Sequence, residues 1–299
     1  MSGPDDRARL LVPAVPAAWL IVFFLLPLVI VLRISLSESV LATPPYTPLI
    51  AIAPDGGLAW QGNAGNYWFL AADPLYLKAF VGSLRIAAVS TAICLLIGYP
   101  MAYAIARAPQ AWRLALVLLV MLPFWTSFLI RVYAWIGILK PNGLINNFLI
   151  GLGVIEAPLK LLDNEFATHL GIVYGYLPFM VLPLYATLAR LDWTLLEAAA
   201  DLGCRPFRAF LAVTWPLSLP GVIAGCLLVF IPAVGEFVVP DLLGGAGTLM
   251  IGKVLWSEFF ANRDWPLASA VALVMLALLI IPIALLQRRR RPAVADGGA

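Results

Sequence analysis

Charged residues are scarce in this sequence: Asp, Glu, Lys and Arg make up only 12% of its 299 residues. A soluble domain carries about 25% of these residues, so the composition argues against a soluble globular fold. The net charge of +3 is also too small to indicate a nucleic-acid-binding protein. Hydrophobic residues make up 63% and lie in long runs. This combination is typical of a protein that spans a lipid bilayer.

Residues that form disulfides or bind metals are almost absent. The three cysteines, Cys94, Cys204 and Cys226, are far apart, and their spacing indicates neither a disulfide framework nor a metal site. The one histidine, His169, opens a predicted helix at the outer interface, where a structural role is favoured over a ligand role. The hydrolase motifs HExxH and GxSxG are also missing from the sequence. We therefore expect no metal site and no enzyme.

Six apolar runs are long enough to cross about 30 Å of hydrocarbon. They lie at about residues 11–32, 80–106, 114–139, 169–189, 217–240 and 266–286. The first run follows Arg7 and Arg9, as in a signal peptide, but it is longer than the apolar core of such a peptide, which has about 7–15 residues. The sequence therefore predicts an all-α membrane protein with six transmembrane helices in a single domain, residues 1–299, and an uncleaved first helix.

The basic residues between the runs predict the orientation. If the N-terminus is cytoplasmic, the inner segments contain eleven Lys and Arg residues, while the longer outer segments contain only six. Because cytoplasmic loops are enriched in these residues, we expect both termini to lie in the cytoplasm. The closing run Arg288–Arg291 would also attract anionic membrane lipid. The longest outer segment, 33–79, is rich in Pro and Gly and should lie over the outer mouth without its own core.

The predicted cytoplasmic loop at residues 190–216 has the pattern of two short helices separated by a turn. Thr194 and Glu197 have the spacing of a capping box at the start of the first helix. Gly203 can end that helix, and Pro206 can begin the second. The apolar side chains of this loop need cover, so the loop either lies on the bilayer or docks another protein.

Residue spacing within this loop favours docking. The run Glu197-Ala198-Ala199, followed by Gly203, resembles the EAA loop of ABC-importer permeases, with Trp215 where that pattern usually has leucine. The resemblance implies a coupling helix that seats in a groove of a cytosolic ATPase. The coupling residues that it implies are Glu197, Ala198, Ala199, Asp201 and Gly203.

Four further runs are Pro123–Trp135, Asn142–Asn147, Tyr176–Tyr185 and Gly235–Gly245. Together they resemble the spermidine/putrescine (polyamine) permeases, in particular the first of the two permease subunits of such systems. The resemblance implies the ABC importer permease (MetI-like) fold in the bacterial inner membrane and import of polyamines, or of another small solute such as an opine. It also implies three kinds of partner: a second homologous permease or a second copy, two cytosolic ATPase subunits, and a periplasmic polyamine-binding protein.

One run resembles a nucleotide site only in part. Gly247–Lys253 matches GxxxxGK, but Val254 stands where a phosphate-binding loop has the Ser or Thr that holds magnesium. The run also lies on the predicted outer side, away from cytosolic ATP. We therefore expect no cofactor on this chain and place ATP and magnesium in the partner ATPase.

Glu236 is the first candidate for a substrate path. It lies within the predicted fifth span, where a carboxylate costs on the order of 2.5–3.5 kcal/mol. Pro232 and Gly235 should weaken the helix just before it. A buried carboxylate on a broken helix suits a cationic substrate, and the alternative is a structural ion pair with Arg131 or Arg85. Aromatic rings at a similar depth can hold an amine for about 0.5–2 kcal/mol each, and the candidates are Trp125, Tyr133, Trp135 and Tyr176.

The GxxxG patterns Gly171–Gly175 and Gly221–Gly225 predict close helix packing. The alternative of another class is a self-contained secondary transporter or channel. Such a protein normally needs ion-coupling groups across its spans, whereas this sequence offers one firm intramembrane carboxylate and would leave the EAA-like loop unexplained.

Overall fold

The computed structural model describes residues 13–52 and 57–289. Helices dominate these residues, as predicted, and a short antiparallel hairpin of Ile50–Ile52 (β1) and Leu58–Trp60 (β2) lies in the outer segment 33–79. Three-residue strands carry too little periodicity to be predicted from sequence. Four of the basic residues that predict the orientation lie outside the described residues: Arg7, Arg9, Arg290 and Arg291.

Helices are labelled in chain order, and a 3-10 or π-helical turn is included where it continues a helix. They are α1 (Pro13–Ser35), α2 (Gly65–Ala72), α3 (Pro74–Arg107), α4 (Gln110–Trp125), α5 (Phe128–Leu139), α6 (Leu144–Gly151), α7 (Glu165–Leu188), α8 (Thr194–Asp201), α9 (Pro206–Val234), α10 (Val238–Leu242), α11 (Ile251–Ala261) and α12 (Trp265–Arg289).

Five helical segments among the described residues are long and apolar enough to cross a bilayer. They are α1, α3, α7, α9 and the segment Phe128–Gly151, which comprises α5 and α6. Two shorter apolar helices are α4 and Trp265–Ile281, the first part of α12. The predicted spans 11–32, 80–106, 169–189 and 266–286 each overlap one helix, although residues 11 and 12 lie outside the described part. The count of six spans stays a prediction.

The predicted third span, 114–139, is interrupted. The last turn of α4 is a 3-10 turn at Leu122–Trp125, Thr126 is extended (φ −96°, ψ 150°), and α5 begins at Phe128. Pro123 has no N–H to donate and sits at the start of that turn, and Thr126 Oγ1 donates to its carbonyl at 2.8 Å. Hydrophobicity could not predict this break, because the residues on both sides of it are apolar.

The predicted fifth span, 217–240, differs at both ends. Its helix, α9, begins earlier, at Pro206, and includes a π-helical turn at Phe210–Thr214. It ends at Val234, and Gly235 is the residue that closes it. Pro232 cannot donate a backbone hydrogen bond in the last turns of the helix. The helix is therefore not only weakened before Glu236, as expected, but ends there, at Val234.

The described chain divides into two compact units. The first holds the residues up to Leu77 and from Val254 onward, and in it α12 packs against α1 and α2. The second is Lys78–Lys253. Its core is a cluster from α3, α7 and α9 that includes Cys94, Met180, Leu184, Val222 and Val229. This second unit contains every residue proposed above for the substrate path or for ATPase coupling.

Two glycines of the predicted GxxxG pattern bring α9 close to α7. A Cβ at Gly221 would lie 2.5 Å from Thr187 Oγ1, and a Cβ at Gly225 would lie 2.8 Å from Met180 Sδ. The predicted close packing is therefore confirmed for this pair. No room remains there for a side chain without moving one helix.

We expect Gly225→Val to lower the Tm of the detergent-solubilised protein by several degrees, because overpacking costs about 1–3 kcal/mol. Gly137→Val is the matched control, since no described heavy atom lies within 4 Å of a Cβ at Gly137. The measurement is a thermal unfolding curve for each variant. An equal change in Tm for both variants would contradict the packing role.

Candidate functional site

Glu236 lies in the gap between α9 and α10 and is only 7% exposed. Its Oε2 accepts a hydrogen bond from the Tyr176 hydroxyl at 2.5 Å. Its Oε1 accepts hydrogen bonds from the backbone N–H groups of Val238 at 3.1 Å and Val239 at 3.3 Å. These N–H groups belong to the first two residues of α10, so no carbonyl within the helix can accept their hydrogen bonds. The carboxylate is therefore buried with three donors, which offset the loss of its water.

The alternative of a structural ion pair is not what the structure contains. Arg85 pairs with Glu165, and both side chains are substantially exposed. Arg131 makes no ion pair within the described residues. The hydroxyl of Tyr176 takes the place at Glu236 that the ion-pair alternative gave to an arginine. Glu236 is therefore a buried carboxylate without a cationic partner in the described part of the chain.

A series of aromatic rings runs from Tyr176 to the break between α4 and α5. The ring of Phe179 lies 6.0 Å from that of Tyr176 and 5.0 Å from that of Phe124, measured between centroids. The guanidinium carbon of Arg131 lies 5.3 Å from the Phe124 ring centroid. We call these four residues and Glu236 the midspan site. Tyr176 is the twelfth of the 24 residues of α7, which places the site near the middle of that helix.

The other predicted path residues lie outside these contacts. Trp125 and Tyr133 are 76% and 60% exposed, on the two sides of the α4–α5 break. Trp135 packs edge-on against Tyr174, with ring centroids 5.4 Å apart. Of the four aromatic residues predicted to lie at a similar depth, Tyr176 is the one that the described structure places against the carboxylate. Sequence reasoning missed Phe124 and Phe179, whose only signal was their place in the runs Pro123–Trp135 and Tyr176–Tyr185.

Two helices are interrupted at this site. Backbone groups freed by a break cannot face lipid, so a break is tolerated only where protein or water covers it. In transporters, interrupted helices often mark the binding site. Here the breaks at Thr126 and Gly235 accompany one buried carboxylate and several ring faces. The arrangement is suited to bind a cation without covalent chemistry.

The loop at residues 190–216 folds as predicted into a helix, a turn and a second helix start. Between α8 and α9, Gly203 has φ +76°, in the left-handed region that favours glycine. The predicted capping box is wrong, because Thr194 is already inside α8. Instead, Asp192 Oδ1 accepts hydrogen bonds from the Thr194 hydroxyl at 2.8 Å and the Thr194 N–H at 3.0 Å. These two hydrogen bonds hold the pKa of the Asp192 carboxyl below its usual range.

An aromatic cluster fixes the start of α8 to the end of α3. The guanidinium carbon of Arg107 lies 5.2 Å from the Trp193 ring centroid and 5.9 Å from that of Tyr103. Arg107 Nη1 also donates to the Tyr103 hydroxyl at 3.3 Å. We call Tyr103, Arg107 and Trp193 the α3–α8 clamp. These contacts therefore join the start of α8 to the end of the long helix α3.

The predicted coupling residues lie on the solvent-exposed face of the same loop. Glu197, Ala198, Asp201 and Gly203 are exposed, and Ala199 is half-buried. Leu202 and Phe207 are large apolar residues with most of their surface exposed nearby. A cavity of about 300 Å³ opens beside the α3–α8 clamp and is lined partly by Glu197. This surface has the small and apolar side chains that a docking face needs.

Comparison with known proteins agrees with these features. The family described as "Binding-protein-dependent transport system inner membrane component" matches residues 94–296. The spermidine/putrescine transport system permease protein PotB of Haemophilus influenzae is 42% identical over 281 residues, which are 92% of this chain and 93% of that protein. The PotB protein of Escherichia coli (strain K12) is 45% identical over 203 residues, which are 68% of this chain and 74% of that protein.

A solved structure supports the fold. A chain in the crystal structure of a bacterial alginate ABC transporter, in complex with alginate pentasaccharide-bound periplasmic protein, has a TM-score of 0.67 and 98% coverage of both chains. It is 16% identical, so the likeness concerns the fold alone. The family match covers the EAA-like loop, both interrupted helices and the midspan site. This chain is therefore a multi-pass inner-membrane protein that belongs to the family of binding-protein-dependent transport system inner membrane components.

Proposed function

We propose that this chain is a permease subunit of an ATP-driven importer of polyamines such as spermidine and putrescine. The observation that carries the proposal is the buried Glu236 carboxylate, which lies beside interrupted helices in a chain 42% identical to a spermidine/putrescine permease. Polyamines are chains of methylenes with several cationic amines. A buried carboxylate attracts an amine, and ring faces such as those of Tyr176 and Phe179 accept both the amine and the methylenes.

The proposed topology has six spans and both termini in the cytoplasm. The spans are α1, α3, the interrupted pair α4–α5, α7, α9 and α12. This arrangement places α8 and most basic residues on the cytoplasmic side, in keeping with the charge rule. It also places the midspan site within the membrane, where the substrate has to cross.

The proposed complex contains four further chains of three kinds. They are a second permease of the same family, two cytosolic ATPase subunits that bind ATP and magnesium, and a periplasmic polyamine-binding protein. Closure of the ATPase pair on ATP would push on α8 through the exposed face around Glu197 and Gly203. The α3–α8 clamp would then pass this motion to α3 and open the path outward. Hydrolysis would return the path to the inward side.

The clamp makes a specific prediction about coupling. We expect Trp193→Ala to leave the complex assembled and ATP hydrolysis active, but to lower the number of polyamine molecules moved per ATP several-fold. Trp193→Phe keeps a ring under Arg107 and should retain most of the coupling. Trp112→Ala is the control, because Trp112 is largely exposed on α4. If Trp193→Ala leaves the ratio of uptake to ATP hydrolysis unchanged, the clamp does not transmit motion.

The function is tested by ATPase stimulation in the reconstituted complex. We expect the binding protein to stimulate ATP hydrolysis more when loaded with spermidine or putrescine than when empty. Stimulation by an opine-loaded protein but not by a polyamine-loaded one would keep the permease role and replace the substrate. Uptake by the permease alone, driven by an ion gradient without the ATPase, would instead indicate a secondary transporter.

A further inference from the structure

Arg131 is a cation without an adequate partner. Its Nε and Nη1 atoms are buried and have no hydrogen-bond partner within the described residues. The rings of Phe124 and Phe128 lie 5.3 Å and 5.6 Å from its guanidinium carbon. Ring faces attract a cation but accept no directed N–H hydrogen bond of normal strength. A guanidinium in a low-dielectric setting usually needs an anion or a carbonyl as well.

The surface around Arg131 is open and cannot all be covered by lipid. Trp125, Ile130 and Tyr133 are large side chains with most of their surface exposed. Thr126 and Ser127, between α4 and α5, are exposed too and lie outside regular helix. Non-helical backbone at membrane depth is tolerated only against protein or along a water-filled path. This surface, residues 125–133, therefore faces another chain or a water-filled path, and the unpartnered guanidinium of Arg131 favours a chain that carries an anion.

We infer that residues 125–133 contact the second permease subunit, and that this subunit supplies a carboxylate to Arg131. The inference rests on the proposed function, which requires two permeases. Arg131 belongs to the midspan site, near the middle of the membrane-spanning helix α7. A cytosolic ATPase and a periplasmic protein do not reach that level, so the partner must itself span the membrane.

Charge balance favours a carboxylate over a neutral partner. Glu236 does not neutralise Arg131 within the described residues, because its oxygens accept from Tyr176 and from the N–H groups that open α10. An Arg131 charge without a counter-ion would repel a cationic substrate, and the repulsion is strong in a low-dielectric medium. A carboxylate from the second permease neutralises Arg131 and leaves the charge of Glu236 for the substrate. The path then lies between the two permeases, with Trp125 and Tyr133 on its wall.

The contact is tested by photo-crosslinking in membranes that hold the full complex. A benzophenone amino acid replaces Ile130 in one variant and Leu96 in a control. Leu96 is also largely exposed, but it lies within the continuous helix α3, where lipid can cover it. We expect residue 130 to give an adduct with the second permease, identified by mass spectrometry, and residue 96 to give none. Adducts of residue 130 with lipid alone, or equal adducts at both positions, would overturn the proposed surface.

The carboxylate is tested by charge reversal. We expect Arg131→Glu to reduce co-purification of the second permease at least fivefold and to stop growth that depends on polyamine uptake. Suppressors selected for growth should place Lys or Arg at an acidic position within a span of the second permease. Arg131→Lys should retain more of the complex than Arg131→Gln does. If Arg131→Gln leaves both co-purification and uptake unchanged, no partner carboxylate acts there.

The two proposals fail in different ways. If the complex is stimulated by polyamine-loaded binding protein but residue 130 makes no adduct with a permease, only the inferred contact is wrong. If the adduct forms and no polyamine is transported, the contact stands and the proposed substrate is wrong.

Discussion

Glu236→Gln is expected to lower ATP-dependent polyamine uptake by about tenfold or more while the complex still assembles. The amide oxygen of glutamine can still accept the N–H groups of Val238 and Val239, so the start of α10 is kept. What is lost is the negative charge. A hydrogen bond to a charged group contributes about 1.5–3 kcal/mol, and this corresponds to about 10–100-fold in rate. The measurement is initial uptake of labelled spermidine into proteoliposomes.

The first unit provides a matched control for this variant. There, Tyr76 donates a hydrogen bond to Glu258 Oε1 at 2.9 Å, which resembles the contact of Tyr176 with Glu236. Glu258→Gln therefore removes the same charge from a similar tyrosine–glutamate pair outside the midspan site. We expect the Glu258→Gln variant to retain most of the ATP-dependent polyamine uptake. An equal loss in both variants would show that the effect is structural and that Glu236 does not act on the substrate.

Gly203→Pro has the other large expected effect: loss of the ATPase subunits from the purified complex and at least a tenfold fall in uptake. Gly203 has φ +76°, whereas proline fixes φ near about −65°. Its N–H also donates to the Ala200 carbonyl at 2.8 Å, and proline has no such donor. The turn between α8 and α9 therefore cannot keep its shape. The measurement is the ratio of ATPase to permease after affinity purification.

Gly153 offers the control for backbone strain. It has φ +69°, its N–H donates to the Ile150 carbonyl at 2.9 Å, and a Cβ there, as at Gly203, would meet no described heavy atom within 4 Å. Gly153→Pro therefore imposes the same local change just after α6, outside the coupling loop. We expect it to keep the ATPase subunits. Loss of the ATPase in both variants would indicate general misfolding and remove the evidence for docking at α8.

Features of the chain that depend on local composition could be predicted from the sequence. The apolar length of α3 and α7 predicts the C-terminal end of each helix to within one residue, whereas the helices begin six and four residues before the predicted spans. Gly203 and Pro206 predict the turn between α8 and α9 because each residue restricts the backbone in a known way. Glu236 was found because a carboxylate in an apolar run is costly and therefore conspicuous.

Features that depend on contacts between distant segments could not be predicted. Tyr176 is 60 residues from Glu236, and its identity as the hydrogen-bond partner follows only from the packing of α7 against the end of α9. For the same reason the sequence could not show that Arg85 pairs with Glu165 and that Arg131 makes no ion pair with Glu236 within the described residues. The break at Thr126 was missed because only two polar residues, Thr126 and Ser127, interrupt the apolar run there, and a single proline does not always end a helix.

The outer segment 33–79 was also beyond sequence reasoning. No secondary structure was predicted within it, whereas the structure forms β1, β2 and α2 there. Side chains organise it by binding backbone groups: Asn66 Nδ2 donates to the carbonyls of Ser35 at 2.9 Å and Ser37 at 3.0 Å. Hydrogen bonds of this kind join positions about 30 residues apart and leave no periodic pattern in the sequence.

The measurement that tests the central claim most directly is uptake of radiolabelled spermidine into proteoliposomes holding the full complex. Uptake is measured with and without ATP, and with and without the binding protein. We predict saturable uptake that requires both ATP and the binding protein and that putrescine inhibits by competition. Glu236→Gln should lower this uptake by at least about tenfold. ATP-independent uptake, or a complex whose ATPase is active but which moves no polyamine under any condition, would contradict the account.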